Sequence, residues 1–144
     1  MALWDAWQAL TTRGEAELRA RHGLDLRGFI ALAYVQGGTH QPAALARELN
    51  VPRYEISRVL SSLEARGAVR RTPGAPDARR VTVTATPAGE RLWQAALGTV
   101  RDVTGPPLAS LDPAALSSLT RTLTVLAHAA RPPGPTQETP HDHL

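Results

Sequence analysis

Apolar residues recur at helical spacing in six stretches of this chain, and in one further stretch they alternate with polar residues. Leu3, Trp4, Trp7, Leu10 and Leu18 predict a helix over residues 3–21, weakened at Gly14. A second predicted helix, 25–36, gathers Leu26, Phe29, Ile30, Ala33 and Tyr34 on one side and stops at the pair Gly37 and Gly38. Gln41 followed by Pro42 suits a helix opening, because proline at the first helical position gives up no needed N–H; Leu45, Ala46 and Leu49 form its inner stripe and Asn50 closes it. Val51 and Pro52 make a turn into a longer helix over 53–66, ended by Gly67.

After Gly67 the period changes. The runs "AVRR" and "RVTVTATP" alternate in the manner of strands around "TPGAPDA", whose proline and glycine content predicts an exposed loop, so the segment reads as a β-hairpin. Thr86 as a cap and Pro87 in the first turn open a helix through Leu92, Trp93, Ala96, Leu97 and Val100 to about residue 104, where Gly105, Pro106 and Pro107 are expected to interrupt it. Asp112 and Pro113 start a last helix carrying Leu116, Leu119, Leu123, Val125 and Leu126. The tail "PPGPTQETPHDHL", 132–144, is too polar and proline-rich to pack and is expected to be disordered.

The longer helix has two unlike faces. At about 100° per residue, with Arg53 as zero, Ser57 falls near 40°, Tyr54 near 100° and Arg58 near 140°, whereas Ile56, Val59, Leu60 and Leu63 cluster between about 240° and 340°. One side is built to bury. The other offers two guanidinium forks, a phenol and a hydroxyl, a set able to reach guanine O6 and N7, other base edges and phosphates in a duplex major groove. A solvated face is the ordinary reading of such a helix standing alone. A helix, a turn and a second helix followed directly by a basic hairpin shift the balance toward DNA.

Composition narrows the choice. The chain has 144 residues, 42% of them hydrophobic, enough for one core or for a core completed by a second copy. No window approaches the length of a membrane span and the N-terminus has no basic flank, so a cytoplasmic protein without a membrane partner is expected. There is no cysteine, and His22, His40, His128, His141 and His143 show no paired metal-ligand spacing, so neither a metal nor another cofactor is expected. All sixteen basic residues are arginine. Between residues 45 and 85 stand Arg47, Arg53, Arg58, Arg66, Arg70, Arg71, Arg79 and Arg80 against Glu48, Glu55, Glu64 and Asp77, a net of +4 in a chain whose total is +3, which leaves the remainder at −1. The positive field is local, as expected where one lobe faces a polyanion. Asp77 lies two residues from Arg79 in a glycine- and proline-containing loop, where its carboxylate can fix the direction of the guanidinium. Narrow minor grooves attract arginine inserted in this way.

These marks together resemble the winged helix-turn-helix of MarR-family (multiple antibiotic resistance) transcriptional regulators. The resemblance rests on "LARELNV" before the turn, "ISRVLSSLEARGAVRR" through the longer helix into the first strand, "DARR" at the wing and "VTATPAG" into the next helix. The chain keeps the family's Thr86 and Gly89, with Ala85 where leucine is usual and Pro52 where a serine cap is common. The fold implied is mainly α with a small β-hairpin wing: N-terminal helices over 1–36 for dimerisation and support, a DNA-binding lobe over 37–86, C-terminal dimerisation helices over 87–131 and a disordered tail over 132–144. Trp4, Trp7 and Trp93 are then anchors of a core or an interface.

The function implied is sequence-specific binding of double-stranded DNA by a homodimer on a pseudo-palindromic operator, as a repressor released by a small phenolic or anionic effector. Expected major-groove residues are Arg53, Tyr54, Ser57 and Arg58; wing residues are Asp77, Arg79 and Arg80; backbone contacts are Gln41, Arg47, Arg70 and Arg71. Arg19, His22, Arg27 and Tyr34 are the candidates for the effector. No catalytic constellation occurs, so an enzyme is not expected. The alternative is a winged-helix protein-interaction module without specific DNA binding.

Overall fold

The computed structural model describes residues 1–38, 40–74 and 81–130. The elements follow one another as α1 (Ala2–His22), α2 (Leu26–Gln36), α3 (Pro42–Glu48), α4 (Arg53–Ala65), β1 (Val69–Pro73), β2 (Val81–Ala85), α5 (Pro87–Leu108) and α6 (Pro113–Ala129). The chain divides into two compact units, Met1–Gly105 and Pro106–Leu144.

In the first unit the helix boundaries follow from local chemistry. The Asp25 carboxylate accepts from the Gly28 amide at 2.7 Å and caps α2. Gln41 stands before Pro42 at the start of α3 without a side-chain cap. Asn50, at φ +50°, turns the chain from α3 into α4, a conformation that asparagine tolerates better than most residues. Helix α4 follows Pro52, whose carbonyl accepts from the amides of Glu55 and Ile56. It ends in a left-handed Gly67, with Gly67 N–H donating to Glu64 O at 2.8 Å and Ala68 N–H to Leu63 O at 2.9 Å, the paired closure of a Schellman motif.

The core of this unit joins Leu18 of α1, Ala31, Leu32 and Val35 of α2, Leu45 of α3, Ile56, Leu60 and Leu63 of α4, Val69 and Val83 of the hairpin and Ala96 of α5. Strands β1 and β2 pair antiparallel with Val69 opposite Ala85 and Arg71 opposite Val83. The backbone of His40 adds a single-residue bridge to Val83, with bonds of 3.0 and 2.7 Å, so the hairpin has a third, minimal neighbour. One residue leaves no alternation, and the sequence pattern did not reveal it.

Thr86 closes the corner between the hairpin and α5. Its hydroxyl donates to Gly67 O at 2.5 Å and accepts from the Gly89 amide at 3.0 Å, while its own amide donates to Ala68 O at 3.1 Å. Gly89 lies so close to Ala68 that a Cβ there would sit 1.9 Å from the Ala68 carbonyl oxygen.

One expectation about helix ends is corrected. Helix α5 does not stop at Gly105 but includes Pro106 and Pro107 near its end. The two rings remove the donors to the carbonyls of Asp102 and Val103, yet their φ near −65° is already helical, and so close to the terminus little of the helix is left to disrupt. In the second unit, Asp112 caps α6 by accepting from the Ala115 amide at 2.7 Å. No residue of α6 is buried, and Leu116, Leu119, Leu123, Val125 and Leu126 are all exposed. Leu3, Trp4 and Trp7 at the start of α1 are exposed as well. The tail over 132–144 lies outside the described residues, as do the wing residues Asp77, Arg79 and Arg80.

Candidate nucleic-acid interface

The outward face of α4 carries Arg53, Tyr54, Ser57 and Arg58, all exposed, with Tyr54 at 68%. The opposite side buries Ile56, Leu60 and Leu63 almost completely and Val59 in part. Burial of three large aliphatic side chains, at about 1.5–3 kcal/mol each, sets the rotation of the helix about its own axis. The polar face is thus held outward by what lies beneath it. Among the described residues, no carboxylate pairs with Arg53 or Arg58.

Residues of neighbouring elements extend this face. Gln41, Arg53, Ser57 and Val81 line one recess of about 280 Å³, so the start of α3, the start of α4 and the hairpin meet there. Arg47 and Arg53 line a second recess across the turn. Gln41, Arg47 and Arg70 are exposed.

Arg71 is placed differently from Arg70. On the strand its side chain alternates to the α4 side, where one Nη donates to Ser57 O at 3.1 Å and to Ser61 Oγ at 2.9 Å. Its amide donates to Glu64 Oε1 at 3.1 Å, and its Nε lies 3.5 Å from Glu64 Oε2. The guanidinium is therefore committed to holding the hairpin against α4, a task that the sequence pattern does not distinguish from a phosphate contact.

Arg66, which the sequence reading left without a role, is a second tie. Its guanidinium donates to Gly23 O at 2.6 Å and to His22 O, so the last residue after α4 satisfies carbonyls at the C-terminal end of α1. A cation at that end also meets the negative pole of the helix dipole.

The four effector candidates do not form one cluster. Arg19 and Arg27 line a crevice of about 390 Å³ together with Asp25, Glu55, Arg58 and Ser62. Arg19 is bound to Glu15 at 2.6 and 3.0 Å, and that hydrogen bonding holds its guanidinium above the ordinary arginine range. Arg27 pairs with Glu55. His22 turns away to Thr99 of α5, with Nε2 and Oγ1 2.8 Å apart, and Tyr34 packs partly buried against the core. Of the three tryptophans, Trp93 packs against the core and Trp7 lines an apolar recess beside α2 and α4. Among the described residues there is no cluster able to hold a metal ion, and no helix is long and apolar enough to cross a membrane.

Comparison with known proteins agrees with this geometry. The sequence profile described as the MarR family matches residues 22–80. No curated protein sequence matches the chain. Among solved structures, the fold is similar to the transcriptional regulator BldR from Sulfolobus solfataricus, with a TM-score of 0.80 and 21% identity over 89% of this chain and 91% of that one. It is similar to a MarR family transcriptional regulator from a Rhodococcus species, with a TM-score of 0.78 and 22% identity over 89% and 92%. It also resembles a MarR family protein from Mycobacterium tuberculosis in complex with p-aminosalicylic acid, with a TM-score of 0.71 and 28% identity over 88% and 95%. Residues 22–80 thus match the MarR family in sequence, and the chain has a fold similar to that of solved MarR-family regulators.

Proposed function

We propose that this chain is a sequence-specific regulator of transcription that binds double-stranded DNA as a homodimer, represses, and is released by a small phenolic or anionic molecule. The observation that carries the reading is the division of α4, with Ile56, Leu60 and Leu63 buried beneath and Arg53, Tyr54, Ser57 and Arg58 exposed above. In this reading the four exposed residues enter the major groove, with the arginines reading guanine edges. Gln41, Arg47 and Arg70 meet the phosphate backbone, while Arg71 positions the hairpin on α4. Asp77, Arg79 and Arg80 form the wing tip, with Arg79 in the minor groove and Asp77 orienting it.

The exposed apolar residues at the start of α1, and separately those along α6, are apolar faces that a second copy covers. A two-fold dimer sets its recognition helices about one turn of DNA apart, so the operator is a pseudo-palindrome. The p-aminosalicylic acid held by the mycobacterial relative supports the reading of an anionic aromatic effector.

A footprint on the DNA upstream of the chain's own gene tests the proposal. Protection of a pseudo-palindromic site is expected, with affinity falling steeply as salt rises. Arg58→Ala should erase sequence preference and Arg79→Ala should weaken binding at the edges of the site. No protected site, with weak binding that is insensitive to sequence and to both substitutions, would instead identify a protein-interaction module.

A further inference from the structure

Arg66 directly follows the last turn of α4, and its backbone is held in the closure of that helix, where the Gly67 and Ala68 amides donate back to Glu64 O and Leu63 O. The root of its side chain therefore moves with α4. The guanidinium lies across the C-terminal end of α1, donating to Gly23 O at 2.6 Å and to His22 O. It rests against the bare side of Gly23, where a Cβ would meet Nη1 at 3.1 Å. Among the described residues no carboxylate competes for it. An arginine at the foot of the recognition helix is thus committed to the end of another helix rather than to the DNA-facing surface.

The same turn of α1 carries two further polar ties. His22 Nε2 and Thr99 Oγ1 of α5 lie 2.8 Å apart, and Arg21 donates to Asp102 Oδ2 at 3.1 Å. Leu18 is the one large side chain of α1 that is buried. Aliphatic contact is non-directional, so it holds a position without fixing an orientation. A planar fork with donors in set directions fixes both. Arg66 supplies that directional element between α1 and α4.

A small freedom at this tie becomes a large one at the far end of the helix. The 13 residues of α4 span about 20 Å, so a rotation of about 10° around the Arg66 end carries Arg53 through about 3.5 Å, the rise of one base pair. In the homodimer proposed above, that displacement adds to or subtracts from the distance between the two recognition helices.

We propose that Arg66 is a positioning residue that sets the half-site spacing the dimer accepts, by clamping the end of α4 to the end of α1. The inference rests on the homodimeric DNA-binding reading above and names the residue that determines spacing. It concerns the geometry between half-sites, whereas Arg53, Tyr54, Ser57 and Arg58 concern the bases within one.

The test uses the full chain and three duplexes titrated by fluorescence anisotropy at fixed salt: the operator, the operator with one base pair inserted between its half-sites, and a single half-site. The insertion should weaken wild-type binding by about tenfold or more, because the second lobe no longer meets its half-site. Arg66→Ala should reduce that penalty by about fivefold, the scale of one modest hydrogen-bonded tie, and should leave the half-site Kd within about twofold of the wild type. Arg66→Lys, whose ammonium still has donors for the two carbonyls, should restore most of the penalty. A variant that was merely less stable would lose affinity for half-site and operator alike with the penalty intact. That result, or an unchanged penalty at unchanged affinity, would overturn the proposal. Because the chain has no cysteine, a spin label at Tyr54→Cys gives a second readout without DNA, the distance between the two recognition helices by pulsed electron resonance. The distribution should be narrow with Arg66 in place and broader with Arg66→Ala. If no operator is found, the DNA reading falls by itself and the spin labels still decide whether Arg66 fixes the lobe; identical distributions would sink the clamp.

Discussion

Replacing Gly89 by alanine tests the corner that joins the hairpin to α5. In an unencumbered helix this substitution stabilises by up to about 1 kcal/mol, because glycine is the poorer helix former. Here the added Cβ would lie 1.9 Å from Ala68 O and 2.8 Å from Ala68 C, both backbone atoms that no rotamer change can move. The helix and strand must separate by more than an ångström to reach ordinary contact. Overpacking of this kind costs up to about 3 kcal/mol. Separation also strains the bond from Thr86 N–H to Ala68 O, now 3.1 Å, worth about 1 kcal/mol. Set against the gain in helix propensity, the net loss is about 2–3 kcal/mol, a fall in midpoint on the order of 10 °C for a chain of this size. Urea and thermal unfolding followed by circular dichroism measure it. Gly98→Ala in the same helix is the matched control, since no atom beyond its own turn of helix backbone lies within 4 Å of a Cβ there, and it should be neutral or stabilising. A Gly89→Ala protein as stable as the wild type, or an equal loss in both variants, would refute the steric account.

Arg71→Ala removes the donors to Ser57 O and Ser61 Oγ and takes the cation from beside Glu64, so stability should fall by about 1–2 kcal/mol and operator affinity with it. Arg71→Lys should recover little of either, because a single ammonium nitrogen cannot serve the two serine acceptors and the Glu64 carboxylate at once, which Nη and Nε of arginine meet separately. Arg66→Ala strips the carbonyls of His22 and Gly23 of their donor across an exposed contact, with an expected loss of about 1 kcal/mol in the urea midpoint at unchanged slope. Arg58→Ala should cost about 1–3 kcal/mol on the specific operator and little on random DNA, read by anisotropy titration. Gln41→Ala and Arg47→Ala should instead weaken both DNAs alike, and the loss of the Arg47 charge should lower the salt slope by about one.

The two faces of α4, the caps at Thr86 and Asp112, the hairpin and the apolar stripes were all legible in the sequence. Each follows from a period of 3.6 or 2, or from a side chain acting on backbone within three residues of itself, and such relations hold before any distant segment arrives. The partners of Arg66 and Arg71 were not legible. Arg66 reaches carbonyls 43 and 44 residues earlier in the chain, and Arg71 lies on a strand whose direction of alternation decides between solvent and α4. As text, both look like Arg70. Gly89 was visible as part of a motif, but its necessity comes from the distance to Ala68, which only the packed corner defines. The same holds for Arg27 and Glu55, set on two helices that meet through the core. Periodicity tells which side of an element turns inward; which groups then meet depends on how the elements stack, and stacking is settled by the whole set of buried side chains acting together.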